Sequence, residues 1–259
     1  MATTGNIKFD AMLPTATAQC TSALGSALAR RAATAPVVVA GSVTETSEQH
    51  AVLQAFQCVQ KKWPEALLVL APRHPENKER MSALVAMLGQ ASLAYAVRSQ
   101  HEPASAVRGP VMVLDTMGEL RACYGAATLA FVGTDHNVLE PLSYGKPVFV
   151  LPGWEPTYPS YPVYSQLRDA GVITALESLD ALGEAWLAEL ANPRPAASPE
   201  LARVMRHNRD ATQRSLAALK ACPALSGLWS LAAEVHDRLA PAAGQAAQRP
   251  AATTTGARP

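Results

Sequence analysis

Residues 111–150 constrain the fold more than any other stretch of the chain. They read VMVLDTMGELRACYGAATLAFVGTDHNVLEPLSYGKPVFV, and they contain three short apolar runs, at 111–114, 128–133 and 147–151. Each run is too short and too continuous for an amphipathic helix, and each suits a strand buried on both faces of a parallel sheet. Between the runs, residues 117–124 and 139–144 read as short helices. Gly125 and Gly145 stand where a helix end needs a left-handed residue. Strand, turn and helix therefore repeat twice, which predicts a doubly wound α/β domain. In such a sheet ligands sit where strand C-termini meet helix N-termini. Both junctions are polar here, Asp115-Thr116-Met117-Gly118-Glu119 and Thr134-Asp135-His136-Asn137-Val138-Leu139-Glu140.

The same alternation runs along the rest of the chain. Residues 15–34 are alanine-rich and helical in pattern, with Pro14 suited to a helix start. Residues 37–42 form a strand, VVVAGS, that feeds a small-residue turn at Gly41-Ser42. Thr46 and Gln49 then have capping-box spacing, and Val52, Phe56, Val59 and Trp63 share one helical face. The Gly41-Ser42 backbone is either a phosphate approach or a plain tight turn. Residues 67–71 are the next strand, followed by Pro72-Arg73-His74-Pro75, whose prolines predict an extended backbone that aims Arg73 and His74 outward. Arg73 can grip a phosphate bidentately, or can form a surface ion pair with Glu76 or Glu79. A helix at 77–88, with Met81, Leu84, Val85 and Leu88 inward and Gly89 at its end, leads to a strand at 93–97. Arg98 and His101 open a polar loop. After 152–162, PGWEPTYPSYP, the alternation continues, and residues 198–221 and 225–239 read as terminal helices, the first capped by Ser198.

Composition narrows the function classes. The 259 residues are 49% apolar and 17% charged, with a net charge of +1, which gives no electrostatic case for nucleic acid. No apolar run approaches the roughly 18 to 20 residues that span a bilayer, and the N-terminus lacks the order of a signal peptide, so a cytoplasmic location is expected. Cys20, Cys58, Cys123 and Cys222 are widely separated, with no metal-ligand spacing, and read as small core residues. Neither a metal nor a cofactor is expected.

Five motifs in a fixed order, APRHPE, DTMGEL, AFVG, HNVLEP and GKPV, resemble the C-terminal half of the bacterial lipid A Kdo transferases. Those enzymes have two facing Rossmann-like domains, the GT-B architecture, and move 3-deoxy-D-manno-octulosonic acid (Kdo) from CMP-Kdo to a lipid A precursor. The resemblance begins at residues 4–10, TGNIKFD, which look like the family's interdomain segment, and runs to about Leu239. It implies an interdomain-like segment and N-terminal helix over 1–35 and a single Rossmann-like nucleotide-sugar-binding domain over 36–240, and the lack of large apolar residues over 241–259 predicts a disordered tail there. The resemblance also implies CMP-Kdo as donor and a lipid A precursor as acceptor, at the cytoplasmic face of the inner membrane, with the acceptor domain either a separate polypeptide or lost.

Residue by residue, the resemblance puts Pro72 and Arg73 at the nucleotide and aligns Met117, Gly118 and Glu119 with residues at the cytidine. In the second junction Asn137 caps the helix, the free amides of Val138 and Leu139 face the CMP phosphate, and Glu140 accepts ribose hydroxyls. Two readings stay open for the carboxylates, since Thr116/Glu119 and Asn137/Glu140 also have capping spacing. Ser42, His74 and His136 are candidate donor-sugar contacts. Thr44 departs from the pattern, standing where the family has a histidine, and the loop before His136 is shorter than its counterpart. A catalytic base is expected in the N-terminal half of such enzymes, and none is identified in these residues. The alternative function is a nucleotide-binding or structural module that kept the fold and lost the reaction.

Overall fold

The computed structural model describes residues 4–11, 22–195 and 198–225. They belong to two compact units, Ile7–Arg209 and a smaller one formed by Met1–Asn6 with Asp210–Pro259. The expected helix start at Pro14, Cys20, the helix at 225–239 and the tail lie outside the described residues.

The larger unit is one seven-stranded sheet in which every pairing is parallel. In chain order its elements are α1 (Lys8–Ala11), α2 (Ala23–Ala32), β1 (Val37–Val43), α3 (Thr46–Lys62), β2 (Leu67–Pro72), α4 (Lys78–Gln90), β3 (Tyr95–Val97), α5 (Pro103–Ala106), β4 (Val111–Val113), α6 (Leu120–Ala126), β5 (Leu129–Val132), α7 (Leu139–Leu142), β6 (Val148–Val150), α8 (Tyr161–Asp169), β7 (Thr174–Ala175), α9 (Ala181–Ala191) and α10 (Pro199–His207). The strand order is β3-β4-β2-β1-β5-β6-β7. Sequence neighbours part at β1, which has β2 on one side and β5 on the other. The switch point of the sheet therefore lies between β1 and β5, and all strand C-termini share one edge.

Burial follows the two-residue period of a pleated strand. Val37, Val39, Leu67, Val69, Met112, Ala130, Val132, Val148 and Val150 pack with α2, α6, α7 and α8 in one core. Their alternates Val38, Ala40, Leu68, Leu70, Val111, Val113, Leu129, Phe131 and Phe149 pack with α3, α4 and α9 in the other. A one-residue slip would carry each strand's side chains to the wrong core, so register is fixed by burial on both faces. Val52, Phe56 and Val59 put one face of α3 wholly inside, and the Phe131 ring meets Trp186 of α9 edge-on at 6.4 Å.

Several expected element ends move. The helix expected to begin with a Thr46/Gln49 box begins one residue earlier: Glu45 is its N-cap and Glu48 the third helical residue. Gly89 does not end α4. The left-handed residue after the helix is Ser92, at φ +53°, and the Leu93 amide donates to the Leu88 carbonyl at 3.0 Å. Gly125 lies inside α6, whereas Gly145, at φ +66°, does follow α7. Pro72 to Pro75 is not extended throughout, because His74 takes a left-handed φ of +59°. In α4 Met87 is buried and Val85 only half-buried. The helix expected over 198–221 is two, α10 and α11 (Ala211–Lys220), parted by Asp210 at φ +65°. In the smaller unit α11 is tied to the N-terminal segment, Arg214 Nε donating to the Thr4 carbonyl at 3.0 Å and Ser215 Oγ to Thr4 Oγ1 at 2.9 Å.

Candidate functional site

A cavity of about 790 Å³ opens at the switch point, lined by residues that follow β1, β2, β5 and β6, including Thr44, Glu48, Arg73, His74, Thr134 and His136. Its floor depends on a close backbone approach. Gly133 donates to the Gly41 carbonyl at 3.0 Å, and a Cβ on Gly133 would stand 2.2 Å from the Ser42 carbonyl oxygen. Only glycine fits there. Ser42 itself sits at a β-bulge with φ +56°, beneath this contact, and does not line the cavity.

Glu48 holds the two loops together. It is a buried carboxylate, 4% exposed, on the first turn of α3. Oε1 accepts from the Thr134 amide at 2.7 Å and from the Thr134 hydroxyl, and Oε2 accepts from the Thr44 amide at 3.2 Å. The Thr44 hydroxyl in turn lies 3.0 Å from His136 Nε2. His136 is half-buried, and its pKa falls below the ordinary histidine value, first through burial and then through the charge of Arg73, against the opposing pull of Glu48 and Asp135.

Arg73 is exposed and, among the described residues, is in no ion pair with Glu76 or Glu79. His74 Nδ1 takes Glu76 instead, at 2.9 Å. Arg73 is placed by its own backbone, whose amide donates to the Val43 carbonyl at 2.9 Å. The cavity thus holds an arginine with no carboxylate on it, which is what an anion site requires. The wall from β6 is the 152–162 loop. The Glu155 amide donates to Asp135 Oδ1 at 2.9 Å, Ser160 Oγ donates to the Asp135 carbonyl at 2.8 Å, and Trp154 stacks on Tyr164 with ring centroids 4.1 Å apart.

The other expected residues lie along the same sheet edge but outside this cavity. After β4, Met117 is 82% exposed, and Gly118, at φ +83°, has nothing within 4 Å of where a side chain would begin. Glu119 caps no amide through its side chain. Arg98 donates to its Oε1 at 2.9 Å and the Thr116 hydroxyl to its Oε2, so the capping box expected from Thr116 and Glu119 is an ion pair and a side-chain contact. After β5, Asn137 Oδ1 accepts from the Leu139 amide at 3.2 Å. The sequence predicts the Val138 and Leu139 amides both free; instead the Leu139 amide is taken by the Asn137 side chain. Glu140 is half-buried, and burial raises its carboxyl above the ordinary value, with Arg121 offsetting part of the shift.

This geometry can be set beside known proteins. The chain is 31% identical over 194 residues to the 3-deoxy-D-manno-octulosonic acid transferase of Haemophilus influenzae, covering 71% of this chain and 44% of that protein. It is 33% identical over 157 residues to the protein of the same name from Bordetella pertussis, covering 58% and 35%. It is a relative of the Kdo transferases. The chain spans less than half the length of these curated relatives. No family model matches the sequence. The crystal structure of the C-terminal CMP-Kdo binding domain of WaaA from Acinetobacter baumannii has the same fold, with a TM-score of 0.54 and 22% identity, covering 73% of this chain and 99% of that one.

In this Kdo transferase relative, sequence reasoning found Arg73, His74 and His136 because each stands beside a strand end in a polar motif. It missed Glu48, Thr134 and Tyr158. Glu48 follows a turn that was read one residue out of register, and its partner Thr134 is 86 residues away. Tyr158 lines the cavity from an irregular loop while 50% exposed. A shift of the α3 cap by one residue was the only local signal for Glu48.

Proposed function

We propose that this chain supplies the donor side of a Kdo-transferase-type glycosyltransferase and binds CMP-Kdo along the C-terminal edge of its sheet. The observation that carries this reading is the cavity at the switch point, with Arg73 free of carboxylates and two histidines beside it. Arg73, with Pro72 fixing the end of β2, takes the CMP phosphate. The cytidine lies toward the open backbone of Met117, Gly118 and Glu119, and the ribose toward Asn137, Val138, Leu139 and Glu140. The sugar lies in the cavity near His74 and His136, with Ser42 contributing the bulge beneath them. β4 is two strands from β1, roughly 10 Å at ordinary strand spacing.

In the reaction an acceptor hydroxyl attacks the anomeric carbon of Kdo while CMP leaves, and the hydroxyl proton must pass to a base. The acceptor, a lipid A precursor, and that base belong in this reading to a complementary domain outside these residues, which also brings the site to the cytoplasmic face of the inner membrane. The seven-stranded body acts in this reading as the donor domain. No described helix is long and apolar enough to cross a membrane.

Calorimetric titration tests the reading. CMP should bind the chain saturably, and Arg73→Ala should weaken binding by about 1.5 to 3 kcal/mol, the scale of a charge-assisted hydrogen bond, roughly 10- to 150-fold in Kd. Its melting temperature should hardly change, because the side chain is exposed. Equal CMP affinity in the two proteins would remove the phosphate from Arg73.

A further inference from the structure

We propose that Glu48 is a positioning residue which, through Thr44 and Thr134, fixes the orientation and tautomer of His136 in the cavity. The inference rests on the reading of that cavity as the nucleotide-sugar site, but its main test does not.

Among the described residues, every hydrogen bond to the Glu48 side chain comes from a donor. Thr134 gives its amide and its hydroxyl to Oε1, and the Thr44 and Glu45 amides approach Oε2 at 3.2 and 3.4 Å. An ionised carboxylate, which only accepts, matches that set on both oxygens. A carboxamide of the same shape cannot, because its NH₂ end would face a donor. The side chain is buried, so a lost contact is not replaced by water. Glu48 thereby clamps the loop after β1 to the loop after β5 across the switch point, at the two residues that frame His136.

The second step runs through the Thr44 hydroxyl, which has one proton. It lies 3.3 Å from the Ser42 carbonyl and 3.0 Å from His136 Nε2. When the proton goes to Ser42, the hydroxyl accepts from Nε2–H, and the neutral ring is the Nε2–H tautomer with Nδ1 carrying the lone pair. Such partner-fixed tautomers decide which ring nitrogen a ligand meets. The charged groups that act on the ring come from three sides of the site. Arg73 and His74, after β2, oppose its protonation, while Glu48, on α3, and Asp135, on its own loop, favour it.

Nitrogen NMR of the His136 ring in the full chain, without ligand, reads the inference directly. Wild type should show the Nε2–H tautomer. Glu48→Gln removes a negative charge, so the His136 titration midpoint should move to lower pH and the tautomer ratio should change. Thr44→Val, which leaves the Glu48 clamp on Thr134 in place and tests the relay should Glu48→Gln fold poorly, should shift the neutral ring toward Nδ1–H. CMP affinity should fall roughly tenfold in each, the scale of losing an outer-shell partner, and the double variant should lose no more than about the larger single loss. A purely structural Glu48 would lower the melting temperature and leave the ring signals of the folded protein in place. His136 signals that coincide in wild type and both variants would overturn the proposal. Ring signals that move as described in a wild-type protein that binds no CMP would uphold the positioning role and remove the donor-site reading instead.

Discussion

Glu140 shows how one half-buried carboxylate separates a ligand role from a structural one. Burial raises its folded-state pKa above the ordinary 4.5, with Arg121 as the opposing influence. Below that ordinary value the carboxyl is protonated in both states and folding is indifferent to it. As pH rises the unfolded chain releases its proton first, so stability falls until pH passes the raised folded value. Glutamine does not titrate. Glu140→Gln should therefore gain melting temperature relative to wild type between pH 4 and pH 7.5. If the carboxylate accepts ribose hydroxyls, the same variant should lose CMP affinity at pH 7.5 while gaining stability. Undiminished CMP binding in a stabilised Glu140→Gln protein would leave Glu140 no part in the nucleotide site. Residues of this kind were legible because their motif is local: Asn137, Leu139 and Glu140 are neighbours in sequence as in space. Glu119 was legible as a position and not as a partner, since Arg98 lies 21 residues upstream. The buried Glu48 was legible at most as a helix-start residue, because its meaning comes from Thr134, which only the folded sheet brings near.

At the scale of elements, the junction of β1 with β5 is the most demanding. The Gly133 backbone passes so close to Ser42 that a methyl group would stand 2.2 Å from a carbonyl oxygen, and a backbone atom cannot swing aside as a side chain can. Gly133→Ala should cost at least the 1 to 3 kcal/mol typical of overpacking, and should distort the cavity above it. Chemical denaturation would measure the loss; a variant as stable as wild type would mean that the two strands part more readily than their register implies. The strands from β1 to β6 could be read from sequence, because short continuous runs such as VVVA and LLVL, bounded by turn residues, suit a doubly covered parallel sheet. Strand order could not, since pairing is a long-range choice. Helix ends were read less well. Gly89 looks like a stop signal, yet the left-handed turn after α4 falls at Ser92, and Gly125 lies inside α6, which ends into an extended Ala127; tertiary packing sets the chain direction over the preference of the residue. His74 is another such case: two prolines predict an extended segment, and the turn into α4 bends it instead.

For the molecule as a whole, the proposed function makes the described residues one wall of a transferase cleft. Positioning two substrates together supplies much of the rate in such reactions, and closure of the surrounding domains completes the site. The carboxylates at this wall are already engaged. Glu48 receives Thr134 and Thr44, Glu45 caps the start of α3, Glu76 holds His74, and Asp135 accepts the Glu155 amide, so each would have to give up a structural contact to act as a base toward an incoming hydroxyl. The chain also spans less than half the length of its Kdo transferase relatives. The 259-residue chain by itself should therefore bind CMP but transfer no Kdo from CMP-Kdo to a lipid A precursor, and transfer should appear when an acceptor domain is supplied. A radiolabelled-sugar assay with the chain alone, the acceptor domain alone and the two together distinguishes these cases. Steady turnover by the chain alone would defeat the division of labour proposed here and direct attention to Glu45 or Asp135 as the base, because both lie at the cavity rim.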